Sequence, residues 1–500
     1  MKRIAFLVAY DLVCIGPRLF FSIAQQKGVD SFIVIFKGEK FYAPRWNPSS
    51  RKGNNYQTWF NGVLRGCLGD INPPTEREIQ LLLDMLVKKQ PDLICLSTRS
   101  FGYDLFRSVV PRVREALPGV PIVSGGWGPS QEIEKFLDIS DYVAFGEGEQ
   151  PMAEICDALN NGGDLRNVSN LFYKQDGKLV QNPIAPPMSI EEMNAAPPPS
   201  FDEQEKYLID DNRVKTGDEI ISGELYDCFS SRGCPMTCSY CMSSKYTDMY
   251  AKVGHKCSKF RTKDVDVVID ELREAKAAGA KFIRMKDEVF PFRPSWLNDF
   301  LEKYKREIDL PFFAYVRPEF HPVEMLKKMV DAGLAQSCVG IQSASERILR
   351  EVYDRRLKPE VAITFAEFLK SHGVKYFYHF LTDNPFETEE DLKANLEFAW
   401  QLPYAPTMVY RVRAFPGSPL HDMIQSDRPR PLDGKLYDWY AILCCMATQG
   451  PRYRRMSKYI YRKGLFRNAL PALQAMMLPT FLQEQAQKHW QKLKTPGASK

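Results

Sequence analysis

Two regions of this 500-residue chain alternate short apolar runs with amphipathic stretches, and the segments between and after them do not. Over residues 1–150 the runs RIAFLVA, SFIVIF, DLICLS, PIVSGG and YVAFGEGE end in turn residues and read as strands. Between them, RLFFSIAQQKG, EREIQLLLDMLVKKQ, YDLFRSVVPRVREAL and EIEKFLDI repeat apolar positions every three or four residues and read as helices. Strict alternation of this kind predicts a doubly wound α/β domain, a parallel sheet covered on both faces, over residues 1–155. Such sheets bind ligands at the carboxyl ends of their strands. Here those ends carry Tyr10-Asp11, Ser97-Thr98, Gly125-Gly126 and Gly146-Glu147.

The rhythm fails over residues 156–219. PIAPPMSIEEMNAAPPPSF holds six prolines and predicts an extended linker with little packed structure. It resumes at 220, where LYDCFS, KFIRMKDEVF, FFAYVRP, SCVGIQS, YFYHFLTDNP and TMVYRVRAF alternate with five helical stretches up to 428. Six βα units predict a partial barrel, with functional groups at the strand carboxyl ends. Residues 429–500 read as a basic helical region.

Composition narrows the class. Apolar residues make up 44% and charged residues 26%, as in a soluble globular protein. No run of eighteen apolar residues is present, and Asp11 interrupts the apolar start, so the chain reads as cytoplasmic without a signal peptide. Twelve cysteines in 500 residues are too few for a disulfide scaffold, and most, such as Cys95 and Cys338, sit singly in apolar runs. Charge is uneven: residues 451–500 hold eleven Lys and Arg against one acid, Glu484, while the remaining 450 are net acidic.

Cysteines concentrate once, in SRGCPMTCSYC, where Cys234, Cys238 and Cys241 follow the first barrel strand. Structural zinc needs a fourth ligand. Cys228 lies within the preceding strand, and His255 and Cys257 stand over a dozen residues downstream, so the paired-CxxC layout is absent. Three thiolates suit instead an iron–sulfur cluster with one iron left open.

The CxxxCxxC spacing, with Tyr240 before the last cysteine, resembles the radical S-adenosylmethionine superfamily. The resemblance implies a 4Fe–4S cluster on Cys234, Cys238 and Cys241, with S-adenosylmethionine chelating the open iron and yielding a 5′-deoxyadenosyl radical. It further implies Asp287 and Glu288 near the methionine amino group and Gln342 with Ser343 near the ribose. Asp287 and Glu288 could instead cap the next helix. Arg317 in VRPEF would hold a carboxylate or form a barrel ion pair. DNPFET (383–388) and FPGSPL (415–420) look like the loops after the last two strands.

The first domain, with Ser97-Thr98, Gly125-Gly126 and GEGE at 146–149, resembles the cobalamin-binding domain that precedes this barrel in one large class. Many such domains hold cobalt through a histidine in D-x-H-x-x-G. Here the segment is Asp11-Leu12-Val13-Cys14-Ile15-Gly16, and none of the six histidines precedes residue 255. The resemblance therefore implies cobalamin bound without a protein histidine, or a domain that has lost cobalamin. The class implies a C-methyltransferase acting on an unactivated carbon through methylcobalamin. A non-methylating relative (cyclisation, ring contraction) and a cobalamin sensor with an inert barrel are the alternatives. Its partners would be a small-molecule, lipid or peptide substrate and an electron donor such as flavodoxin or ferredoxin, with no nucleic acid. The tail at 454–495, with basic and aromatic residues interleaved, would cap the barrel or touch an anionic membrane.

Overall fold

The computed structural model describes residues 1–37, 73–98, 102–218 and 224–467. Strands β1 (Arg3–Ala9), β2 (Asp30–Phe36), β3 (Leu93–Ser97), β4 (Ile122–Gly125) and β5 (Tyr142–Ala144) run parallel in the order β5-β4-β3-β1-β2. Nearly every residue of β1 is buried because helices cover both faces. On one face α1 (Ile15–Gln26) packs near the later helix of Glu149–Asn161. On the other lie α2 (Glu76–Lys89) and α3 (Tyr103–Ala116). α2 starts where the sequence provides a capping box: Thr75 accepts from the Glu78 amide at 3.2 Å, and Glu78 accepts from the Thr75 amide at 2.8 Å. The short helices α4 (Trp127–Gln131) and α5 (Ile133–Phe136) follow β4, and Glu149–Asn161 is α6.

The segment expected as a linker departs from that expectation. β6 (Leu171–Gln175) and β7 (Lys178–Gln181) add an antiparallel hairpin beside β5. After α7 (Ile190–Ala195), β8 (Lys206–Asp210) joins β2 in parallel, and β9 (Arg213–Thr216) pairs antiparallel with it. Among the described residues the sheet thus has nine strands. Both hairpins turn through paired left-handed residues, Asp176-Gly177 and Asp211-Asn212, whose twist matches that of the flanking strands. Only the proline-rich stretches between these strands stay extended.

The second sheet has six strands, all parallel, in the order β10 (Leu225–Cys228), β13 (Phe282–Met285), β14 (Phe312–Ala314), β15 (Leu334–Gln342), β16 (Lys375–Thr382) and β17 (Thr407–Arg411). A small antiparallel pair, β11 (Ser231–Gly233) with β12 (Phe260–Thr262), brackets the cysteine loop and α8 (Tyr246–Ala251). Five helices, α9 (Val265–Ala277), α10 (Pro294–Lys303), α11 (Val323–Asp331), α12 (Pro359–Ser371) and α13 (Glu389–Ala399), connect the barrel strands. Outward-facing strand residues such as Met285, Ala314 and Val339 form the core with them.

Beyond β17 come α14 (Pro419–Asp427), α15 (Gly434–Thr448) and α16 (Pro451–Lys463). α15 is buried along its length from Tyr437 to Thr448 and packs on α13 and β17, so the start of the tail region is barrel wall. The basic character begins with α16. The tail beyond residue 467 lies outside the described residues. No described helix is long and apolar enough to cross a membrane.

Candidate active site

The cysteine loop leaves β11 through Gly233. A side chain there would meet the Lys259 carbonyl at 2.2 Å, and its φ of +82° is one that glycine adopts freely. From there the loop is clamped onto the turn after β15. The Ser239 amide donates to the Tyr353 carbonyl (3.1 Å), the Ser239 hydroxyl donates to Val352, and Tyr240 packs edge-on against Tyr353 at 4.9 Å. The Leu420 amide at the start of α14 donates to the Ser239 carbonyl at 3.0 Å. Cys234 and Cys238 are buried, and Cys241 is half-buried. Burial pushes the Cys234 thiol up to about 11. Cys228 is fully buried within β10 and plays no part. Three soft sulfur donors in one clamped loop fit an iron–sulfur cluster. Among the described residues, no three or more His, Cys, Asp or Glu side chains converge closely enough to hold a single metal ion.

Around this loop the acids divide their roles. Asp287, fully buried, accepts from the hydroxyls of Ser230 (3.1 Å) and Ser231 (2.5 Å), which pins β11 to the end of β13. Its burial raises the carboxyl to about 7. Asp287 is therefore a hairpin anchor, while its exposed neighbour Glu288 places its charge beside Cys241. Ser343 is also turned inward, donating to Asn395 Oδ1 at 3.1 Å in support of α13. Gln342 ends β15 in the left-handed region (φ +70°), next to a bulge in the β15–β16 register. Arg317 forms an ion pair with Glu319 at 3.0 Å, and Arg355 approaches the same carboxylate at 3.4 Å. One acid between two guanidiniums leaves this corner positive beside Cys238.

In the first domain the paired glycines meet a demand of the protein itself. A side chain on Gly126 (φ +110°) would stand 2.6 Å from the Thr98 carbonyl, and one on Gly102 would stand 1.9 Å from the Thr98 hydroxyl. Thr98 is buried by this packing, whereas Ser97 and Gly125 stay half-buried at the open edge of the sheet. The Asp11–Gly16 loop is fixed from two sides. Asp11 Oδ1 accepts from the Val13 and Cys14 amides, each at 3.0 Å. Arg18 donates Nε to the Val13 carbonyl (2.8 Å) and Nη2 to the Leu12 carbonyl (3.2 Å). Cys14 is buried, and burial pushes its thiol up to about 12. Val13 stays half-buried at the sheet's open edge. An apolar residue in the histidine position, together with half-open strand ends, fits a cobalamin held there with no protein imidazole.

The two domains meet at this edge. Glu147 accepts from Arg261 (2.7 Å) and lies 3.3 Å from Arg232, which also pairs with Glu149. The Glu147 amide donates to the Tyr250 hydroxyl at 2.8 Å. Gly146 lacks a side chain because that hydroxyl occupies the space, 2.1 Å from where a Cβ would be. GEGE thus binds the cysteine-loop hairpin. Arg232 and Arg261, which sequence reasoning passed over, are its partners; the SRG beside the first cysteine was the available signal. His255 contacts the Ile184 carbonyl at 2.6 Å, and Cys257 packs on the first domain's core. A cavity of about 260 Å³ lies at the junction. Trp127 and Gln131 line it from the first domain, Tyr240 to Ser243 from the cysteine loop, and Phe415 and Pro416 from the loop after β17.

Comparisons with known proteins agree with this layout. A model of the radical SAM superfamily matches residues 229–399, and a model of the B12 binding domain matches residues 70–156. An uncharacterized methyltransferase of Pyrococcus horikoshii is 29% identical over 343 residues, covering 67% of this chain and 70% of the relative. The anaerobic magnesium-protoporphyrin IX monomethyl ester cyclase of a Synechocystis species is 21% identical over 294 residues, covering 56% of this chain and 52% of the relative. The chain thus spans only about half the length of that second relative. Among solved structures, the radical S-adenosylmethionine methyltransferase TsrM of Kitasatospora setae superposes with a TM-score of 0.57 at 16% identity, covering 85% of this chain and 76% of that one. At that identity the likeness establishes the shared fold.

Proposed function

The chain is a radical S-adenosylmethionine enzyme with a B12-binding domain, and from that premise we propose that it is a C-methyltransferase acting on an unactivated carbon. One observation carries the reading. A single cavity touches the cysteine loop through Tyr240 and Cys241 and the B12-binding domain through Trp127. When bound, the cluster with S-adenosylmethionine brings hydrogen abstraction from carbon, and cobalamin brings a methyl group. The residues of the chain decide where these meet. Cys234, Cys238 and Cys241 would hold three irons, with the Ser239 and Tyr240 contacts setting the loop's height above the barrel. Glu288 lies near Cys241 and Arg317 of the Arg317–Glu319–Arg355 cluster lies near Cys238, so they would suit the amino and carboxylate ends of S-adenosylmethionine. Val13, Ser97, Gly125 and Trp127 would line the place for cobalamin. The Glu147–Arg232–Arg261 network fixes the distance between the two halves, because buried charge-assisted bonds tolerate little slack.

The relatives named methyltransferases support transfer of a methyl group, while the cyclase at 21% identity keeps a non-methylating reaction as the second reading. Product analysis of the anaerobically reconstituted protein separates them. Methyl transfer consumes two molecules of S-adenosylmethionine per turnover and yields S-adenosylhomocysteine and 5′-deoxyadenosine together. A turnover giving 5′-deoxyadenosine alone refutes it. A reconstituted cluster that never cleaves S-adenosylmethionine would leave the sensor reading.

A further inference from the structure

Among the described residues, one ammonium in the barrel lumen, that of Lys286, has no carboxylate bonded to it. Lys286 and Tyr315, directly after β13 and β14, and His379 and Tyr410, within β16 and β17, are half-buried, whereas their neighbours Met285, Ala314, Tyr378 and Val409 are buried. The first set therefore faces an open chamber. Lys286 Nζ lies 3.4 Å from the Tyr315 hydroxyl and 5.3 Å from the centre of its ring. No described carboxylate pairs with it. Asp227, on the adjacent strand β10, is held by Arg284 through two bonds of 2.5 and 2.6 Å. Asp287 is turned onto Ser230 and Ser231. The remaining polar pair beside Lys286 is Cys338 with His379, sulfur to Nδ1 at 3.2 Å. Burial pushes that thiol up and that imidazole down to about 3, so neither carries a charge at neutral pH. The floor beneath is aromatic, with Phe313 and Phe377 stacked 6.3 Å apart. A lone cation against such a floor, partly stripped of water, favours an incoming anion.

We propose that the barrel lumen binds the substrate's own anionic group, a carboxylate or a phosphoryl oxyanion on an apolar body, through Lys286. This rests on the reading of the barrel as the substrate chamber of a radical S-adenosylmethionine enzyme.

Equilibrium dialysis of the reconstituted enzyme, with S-adenosylmethionine present and reductant absent, tests it with phenyl phosphate, phenylacetate and neutral benzyl alcohol as probes. At least one anion should bind about tenfold or more tightly than the alcohol, the scale of one charge-assisted hydrogen bond. Lys286→Met should erase that advantage and Lys286→Arg should keep most of it. The tighter of the two anions identifies the group recognised. Equal binding of all three probes, or an advantage that survives in Lys286→Met, overturns the proposal. Iron content matching the wild type shows that the variant is folded, and Lys286→Gln replaces it if Met is not tolerated. Substrate-free cleavage of S-adenosylmethionine, read after adding reductant, keeps the two readings apart. If Lys286→Met loses cleavage that the wild type performs, the lysine serves S-adenosylmethionine's carboxylate and the proposal fails. If the wild type itself never cleaves, the enzyme reading fails, and the dialysis still judges the lysine.

Discussion

Replacing Arg18 by Met should destabilise the first domain and loosen the loop that carries Val13. Arg18 and Asp218 have side-chain exposures of 1% and 0% and form a two-pronged ion pair. The guanidinium also donates to the carbonyls of Leu12, Val13 and Ser200, and it stacks 4.3 Å above Phe201. Removing one partner of a buried ion pair costs about 3–5 kcal/mol. For a domain of this size each kcal/mol moves the melting temperature by roughly 2–4 °C, so the first thermal transition should fall by roughly 6–20 °C. The assay is calorimetry of the apo protein, with Asp218→Leu added to Arg18→Met as the control. The double variant should regain most of the lost stability, because two apolar groups replace the pair. It should not regain hydroxocobalamin affinity, because the Leu12 and Val13 carbonyls still lack their donor. A fall below about 2 °C in the single variant, or no recovery in the double, would refute the reasoning.

Three further outcomes follow from the geometry. Asp287 holds its proton up to about 7 in the fold, against 3.8 ordinarily, so the native state is destabilised as pH rises through roughly 4 to 7. Asp287→Asn should match the wild type near pH 4 and exceed it at pH 8 by up to about 4 kcal/mol in urea unfolding, and a constant gap across that window would contradict the assignment. Single Cys→Ala changes at Cys234, Cys238 or Cys241 should abolish the reconstituted cluster's visible absorbance, while Cys228→Ala keeps it; retention in any of the three removes that cysteine from the ligand set. Val13→His should add nitrogen hyperfine splitting to the electron paramagnetic resonance spectrum of bound cob(II)alamin, and an unchanged spectrum would show that residue 13 does not lie beneath the cobalt.

The parts of the fold with strong periodicity were legible in the sequence. All five early strands and all six barrel strands fall where apolar runs predicted them. The strands β6 to β9 escaped because four-residue antiparallel strands among prolines carry little periodicity, although Asp176-Gly177 is itself a hairpin signal. Site assignments blurred wherever neighbours share a motif but not a direction. Asp287 and Glu288 stand side by side at the end of one strand, yet one pins a hairpin and the other faces Cys241. Ser343 likewise turns to Asn395 in α13. A period of two separates the faces of a strand without saying which face is lumen, so Lys286, Cys338 and His379 did not read as one cluster. The pairing of Glu147 with Arg261, 114 residues apart, depends on the docking of two domains, which no local pattern encodes.

The central claim, that both cofactor chemistries act from one chamber to move a methyl group, can be tested before any substrate is known. The reconstituted enzyme is given hydroxocobalamin, a low-potential reductant and S-adenosylmethionine carrying a deuterated methyl group, and the bound corrinoid is analysed by mass spectrometry. The account predicts deuterated methylcobalamin formed in equal amount with S-adenosylhomocysteine. Unmethylated cobalamin, with S-adenosylmethionine converted only to 5′-deoxyadenosine and methionine, would contradict it.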